Sequence, residues 1–406
     1  MVCPQRGEPA VRVAILGGYL IDGTGRDPVR DCTLLIEGKH IAGVLPGGDA
    51  RGHSASAVID AGGRTVIPGL INCHVHLEMN AGPSPLTDLA DEPAESSLVG
   101  ARARAAAMLR RGITTLRDCG ARGWQVIGLR AAIEQGLAPG PRILACGRAL
   151  CARGGHAQVV SEPVSGEIEV AEAARRQLRA GTDFIKVMAT GGFGKDGEQL
   201  DHCELGVEEL RAAAEVAHGA GKKLAVHAYG NQGIRNAIAG GADTVEHATF
   251  IDDETLALLR RSGTFIVPTL TNTYRVATEG ARGGVAPYIC ETATAVWPAM
   301  LGNARRAHRA GVRMAVGTDA GSWLNPHTDI VTELRLRIEA GVAPLEAIAM
   351  ATLHSAECLG IAGMVGTLEP GKLADVVIVD GDPLEDVGAL ARVHAVFREG
   401  AAVPPA

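Results

Sequence analysis

Short apolar runs recur through the middle of this chain, and each is followed by a stretch with a different rhythm. The runs are LINCHVH, ITTLRD, RILACG, DFIKVMATGG, KLAVHAYG, DTVEHATF, TFIVPTL and VRMAVGTDAG. Between most of them lie Ala-, Leu- and Arg-rich stretches with helical spacing. AESSLVGARARAAAMLRRG and GVEELRAAAEVAHGAG are examples, each stopped by Gly. Strands alternating with helices imply a parallel sheet. Eight such units are what a (β/α)8 barrel of about 250 residues or more requires. A doubly wound open sheet is the alternative, but no G-x-G-x-x-G follows the first run.

The two ends of the chain read differently. VRVAILGGYLIDG, CTLLIEGKHIAGVL and RTVIPG are apolar runs broken by Gly and Asp at hairpin-like spacing. The same character returns in ADVVIVDGDPL and VHAVFREG. The predicted fold is therefore α/β: a (β/α)8 TIM-like barrel with a small β-sandwich domain formed by both chain termini. The predicted boundaries are 1–68 and 370–406 for the β domain and 69–369 for the barrel.

A net charge of −7 argues against a nucleic-acid partner. No uncharged apolar stretch is long enough to span a bilayer. The N-terminus, MVCPQRGEPAVRV, has no apolar core of a signal peptide. The nine cysteines are scattered without zinc-knuckle or redox spacing. They read as reduced thiols of a cytoplasmic protein.

Active sites of such barrels sit at the C-terminal ends of the strands. The first run ends in His74-Val75-His76, and residues i and i+2 of a strand share a face. Two imidazoles side by side suit a metal, although a lone H-x-H also fits a chance pair. The fourth run carries Lys186, the fifth ends with His227, the sixth with Glu246-His247 and the eighth with Asp319. Each alone has an ordinary explanation: a hydrogen-bonded core histidine, a turn aspartate, a lysine paired with Asp319 or Glu246. Together they would meet on one rim. Lys186 lies among Phe184, Ile185, Val187 and Met188. An ammonium is costly to bury there. A neutral amine can add carbon dioxide, and the resulting carbamate is an anion with two ligand oxygens.

The set HVH, IKVMATGG, VHAYG, VEH and GTDAG resembles the amidohydrolase superfamily. More narrowly, it is similar to the imidazolonepropionase-like and Xaa-Pro/Xaa-Arg dipeptidase branch with a carboxylated lysine. The ending GTLEPGKLADVVIVDGDPLEDV is also similar to that family's closing β segment, so the resemblance runs from about Val11 to about Val387. It implies two divalent cations, most often zinc. His74, His76 and Asp319 would bind the first, His227 and His247 the second. Lys186, as its carbon dioxide-derived carbamate, and a hydroxide would bridge them. Asp319 would move the proton from the hydroxide to the leaving amine. The resemblance also implies a homo-oligomer.

Weaker candidates surround this set. Tyr229 lies two residues beyond His227 and could hydrogen-bond a developing oxyanion, or simply cover the mouth. Arg153 and His156, in ARGGHAQ after the third run, could hold a substrate carboxylate. TGGFGKDGEQLDH reads as a loop over the site; it lacks the G-K-[ST] ending of a phosphate loop. The segment 269–309 reads as a long connection or lid, with Tyr274, Arg275, Tyr288 and Trp297 available to shape specificity. His327 reads as a rim residue rather than a ligand.

The expected activity is hydrolysis of an amide or peptide bond beside a free carboxylate, on a small-molecule or short-peptide substrate. Trimming or opening of a specialised metabolite or modified peptide precursor is the alternative. A non-catalytic protein that kept the fold is a third reading, which predicts the loss of at least one ligand.

Overall fold

The computed structural model describes residues 12–47 and 55–405. Cys3 and the readings made on the first residues lie outside that range. Seven of the eight runs form parallel strands, numbered here within the barrel. They are β1 (Leu70–Val75), β2 (Ile113–Asp118), β3 (Arg142–Ala145), β4 (Phe184–Met188), β5 (Lys223–Ala228), β6 (Thr244–His247) and β7 (Phe265–Val267). β1, β2, β4, β6 and β7 are buried along their whole length. That is expected where helices cover the outer face and side chains fill the inside. The eighth run closes the ring without forming a regular strand. Met314 bridges to Ile266 on one side and Ala320 to Val75 on the other, and Asp319 N donates to His74 O at 2.9 Å.

The ring is broken once. After β3 the chain turns through Gly147, at φ +65°, and resumes as Ala149–Ala152. β3 pairs with β2, and Ala149–Ala152 pairs with β4 through Leu150 and Val187. The break brings His156 round to the mouth of the barrel.

Strands from both ends of the chain form one mixed eight-stranded sheet among the described residues. Arg64–Pro68 runs antiparallel to Val376–Asp380, with Ile67 opposite Val377. Its own apolar core includes Ile15, Leu34, Ile36, Val66, Val376, Ile378 and Phe397. Arg142, at the foot of β3, bonds Asp375 at 2.8 Å and Glu399 at 3.0 Å, which ties barrel to sheet.

The stretch read as a long connection is mostly helical. It folds as Leu270–Gly283 and Pro287–Arg309, packed side by side. Gly284 ends the first helix in the left-handed region, and Pro287 opens the second, where its missing N–H costs nothing. Pro298 lies within the second helix as a tolerated interruption.

Candidate metal centre and active site

The strand ends bring five predicted residues round a sixth. Ring centroids lie 5.4 Å apart for His74 and His76, 5.2 Å for His74 and His247, and 4.5 Å for His227 and His247. Asp319 Oδ1 is 3.3 Å from His76 Nε2 and 3.6 Å from His74 Nε2. The ligand atoms of His74, His76 and Asp319 all fall within 4.8 Å of one another, close enough to share one cation.

Each imidazole has one nitrogen tied from behind. His74 Nδ1 meets Glu246 Oε2 at 2.8 Å, and His76 Nδ1 meets Gly120 O at 3.0 Å. His227 Nε2 meets Gly191 O at 3.1 Å. His247 Nδ1 meets Thr269 Oγ1 at 2.7 Å, while that hydroxyl gives its own proton to Pro268 O. A carbonyl or carboxylate acceptor fixes an N–H at the tied nitrogen and leaves the other as a lone pair. The free nitrogens are then Nε2 of His74, His76 and His247, and Nδ1 of His227. The backbone is bent to aim some of these groups: His247, Thr269 and Asp319 have φ values of 70°, 51° and 59°. Non-glycine residues are rare there, and such strain clusters at functional sites.

Burial opposes charge on all these histidines. It holds His74 down to about 4, with Lys186 adding to the effect. Burial, with neighbouring cations, keeps His227 and His247 well below the usual imidazole value. Only on His76 does Asp319 outweigh burial and raise the value. Asp319 itself is pushed up by burial but held lower by His76 and His74, so it stays ionised. Neutral imidazoles and an ionised carboxylate are the forms in which these groups bind cations.

Lys186 is 1% exposed, and among the described residues its Nζ has no hydrogen bond or ion pair. The salt bridge to Asp319 or Glu246 considered from the sequence does not form. Glu246 is instead claimed by Arg117, at 2.6 Å, and by His74. Arg117 is buried and also bonds Cys73 O and Thr244 Oγ1. A deeper group, His74 with Cys119 and Glu246, also has metal-like spacing. It is a poor donor set, because Arg117 neutralises Glu246 and burial pushes the Cys119 thiol up to about 12.

The pocket over this cluster is walled by Met79, Leu86, Val160, Phe193 and Trp323. Tyr229 and His156 are both in it. The Tyr229 ring stacks on His247 at 4.6 Å and meets Phe193 edge-on. Burial, then Asp319 and Glu198, pushes its phenol well above 10, so its hydroxyl stays a donor. His156 stacks on His227 at 4.5 Å, and its Nδ1 meets Glu198 Oε1 at 2.8 Å. Burial pushes the Glu198 carboxyl up, but the His156 bond and charge outweigh it and bring it down to about 2.

Arg153 is not brought to the pocket. It is 63% exposed and pairs with Glu169, because the turn at Gly154-Gly155 sends it outward while His156 turns in. His327 stays a supporting residue: Nε2 bonds His76 O at 3.0 Å. The loop read in TGGFGKDGEQLDH carries Phe193 and Glu198, and Lys195 Nζ bonds Gly154 O at 2.6 Å. Tyr274, Arg275, Tyr288 and Trp297 do not line the pocket, whereas Asn272 from the same helical segment does. Glu198, Phe193, Trp323, Asn272 and the Arg117–Glu246 pair were not singled out from the sequence for these roles. Only the Glu246-His247 doublet offered a signal.

A barrel whose strand ends gather four histidines, an aspartate and an isolated lysine defines a metal-dependent hydrolase. The amidohydrolase family model matches residues 65–403, and the chain belongs to that family. It is a hydrolase acting on carbon–nitrogen bonds. Ochratoxinase from Aspergillus niger is 30% identical over 94% of this chain and 84% of its own length. Two solved structures are also similar. A Xaa-Pro dipeptidase with bound methionine is 32% identical, with a TM-score of 0.88 over 96% of this chain and 99% of its own. A prolidase complexed with N-methylphosphonate-L-proline is 30% identical, with a TM-score of 0.89 over 98% and 100%. No helix among the described residues is long and apolar enough to cross a membrane.

Proposed function

We propose that this chain hydrolyses the amide bond of a small substrate with a free carboxylate, as a dipeptidase or carboxypeptidase-type enzyme. The observation that carries the reading is the donor set: four imidazoles, each tied behind and free in front, facing Asp319 and a buried lysine without an anion. Two divalent cations, zinc first among them, fit this set. His74, His76 and Asp319 would hold one, His227 and His247 the other. Lys186, as the neutral amine, would gain a negative charge by adding carbon dioxide at Nζ with loss of a proton, which would put an anion on a side chain that holds no ion pair of its own. Bound cations would supply a nucleophilic water at neutral pH and polarise the substrate carbonyl.

The chain's own groups do the rest. Asp319, ionised and bent into the mouth, accepts a proton and hands it to the leaving nitrogen. Tyr229 donates its hydroxyl proton to the substrate oxygen as charge develops. His156, steadied by Glu198, is the candidate for the substrate carboxylate. The likeness to a Xaa-Pro dipeptidase, a prolidase and an ochratoxinase supports the reading. All six ligand positions are filled, so the non-catalytic alternative finds no support.

The test is elemental analysis of protein expressed with added zinc, beside a screen of dipeptides and N-acyl amino acids. About two metals per chain and turnover that a chelator abolishes and zinc restores are expected. A chain that binds no metal, or one that works after complete chelation, would overturn the reading.

A further inference from the structure

The foot of the barrel, opposite the histidine cluster, holds a second cavity of about 390 Å³. It lies where β3, β4 and β5 begin, and residues 358–361, at the end of the helix Ser355–Leu359, bound it on the other side. Phe184, Ile143, Leu359 and Ile361 give it apolar walls. That volume far exceeds what one water needs and falls in the range of small-molecule sites. The charges round it do not balance. Arg117, Arg142, Lys222 and Lys223 line it, against two acids, Glu134 and Asp183. Arg117 is buried and matched by Glu246, and Arg142 by Asp375 and Glu399. Both lining acids are taken by Arg130, which is not in the lining: Asp183 bonds it directly, and Glu134 lies 3.9 Å from it. Lys222 and Lys223 are left over. Both are half-buried, and neither ammonium has a hydrogen bond or ion pair among the described residues. The Lys223 stem lies flat against Gly360, with Cε 3.1 Å from where a Cβ would stand, so a larger residue there would push it away. Two adjacent, unmatched cations on one apolar cavity are an exception in a chain of net charge −7.

We propose that the barrel foot binds a small organic anion, its apolar body against Phe184, Ile143, Leu359 and Ile361 and its anionic head on Lys222 and Lys223. The head completes the charge pairing that the chain leaves open. Charge-assisted hydrogen bonds to two ammonium groups gain strength where apolar walls exclude water. The walls and the volume select against a bare inorganic anion, which would leave most of the cavity unfilled. A carboxylate and a phosphate ester share the required chemistry. The site is separate from the histidine cluster, because it uses the starts of the strands rather than their ends. It stands whether or not the amide-hydrolase reading does.

The experiment is protection of lysines from acetic anhydride on the full, zinc-loaded chain, read residue by residue by mass spectrometry. The probes are 4-phenylbutyrate and phenyl phosphate. At saturation at least one should slow acetylation of Lys222 and Lys223 about fivefold or more, while the exposed Lys39 reacts as before. Protection by one probe alone would identify the head, carboxylate or phosphate ester, and would support the site. The neutral 4-phenylbutanol and inorganic phosphate should each need at least about tenfold higher concentration for half-protection. Equal protection by the alcohol would show that the charge is not read, and equal protection by inorganic phosphate would show a simple anion patch; either overturns the proposal. In Lys222→Gln, the half-protecting concentration of the better probe, read at Lys223, should rise about tenfold. No rise, or no protection by either probe in the wild type, would also overturn it. Because the readout sits on the two lysines, turnover or its absence at the barrel mouth does not enter the result.

Discussion

The two candidate cation positions differ in what stands behind them. His74 and His76 face an ionised aspartate, and His74 is backed by Glu246 and, behind that, by Arg117. His227 and His247 are backed only by neutral groups, the Gly191 carbonyl and the Thr269 hydroxyl. The first position brings its own negative charge. The second has imidazoles alone, with Lys186 next to them. A dication is held by charge as well as by lone pairs, so under the proposed function the second position would depend on an anion made after the chain has folded. On the proposed reading, that anion is the role of Lys186.

Lys186→Ala should separate the positions most sharply. Turnover is expected to fall at least about a hundredfold, with metal content dropping from two per chain toward one. Acetate or propionate should restore part of both. Retention of two metals and full turnover would show that the second position needs no bridging anion. Glu246→Gln attacks the other side. It leaves Arg117 charged and unpaired, which should destabilise the fold by about 3 kcal/mol or more. It should also weaken the first cation about 10- to 100-fold in a chelator competition. An unchanged affinity would mean that His74 needs no carboxylate behind it.

Smaller effects lie further from the cations. The His156 ring packs against Gly192, where a Cβ would collide with it. Gly192→Ala should raise KM about tenfold while changing kcat much less, as loss of substrate positioning does. A fall in kcat alone would place His156 in the chemical step instead. Arg153→Ala should change kcat/KM by less than about twofold, since its pair with Glu169 is exposed. A larger loss would return Arg153 to the substrate.

The candidate metal half of the site follows a local rule that can be read in the sequence. His74 and His76 share a face by strand period, and the other candidate ligands except Lys186 sit where apolar runs stop. The substrate half follows no such rule. Asn272 lies in a helix within a segment read from its length as a long connection, and Glu198 reaches His156 from a different connection. Arg153 and His156 are three residues apart, yet a two-glycine turn sends one to solvent and the other to the pocket. Residue type suggested both; only the turn decides between them. The eight-unit barrel and the sheet drawn from both ends were readable, because short apolar runs mark the strands and differ in rhythm from the helical stretches between them. The irregular eighth strand and the break after β3 were not, since hydrogen bonds rather than composition define them.

The pairing of Arg64–Pro68 with Val376–Asp380 also sets a schedule. A strand made early has a bonding edge whose partner is synthesised some three hundred residues later. At translation speeds of about 5–20 residues per second, that edge waits for roughly 15–60 s. Through that interval an apolar strand edge is open to any other chain. The early sheet is then a natural client for a chaperone, and slowing the ribosome between the two strands should lower the soluble yield without altering the finished enzyme.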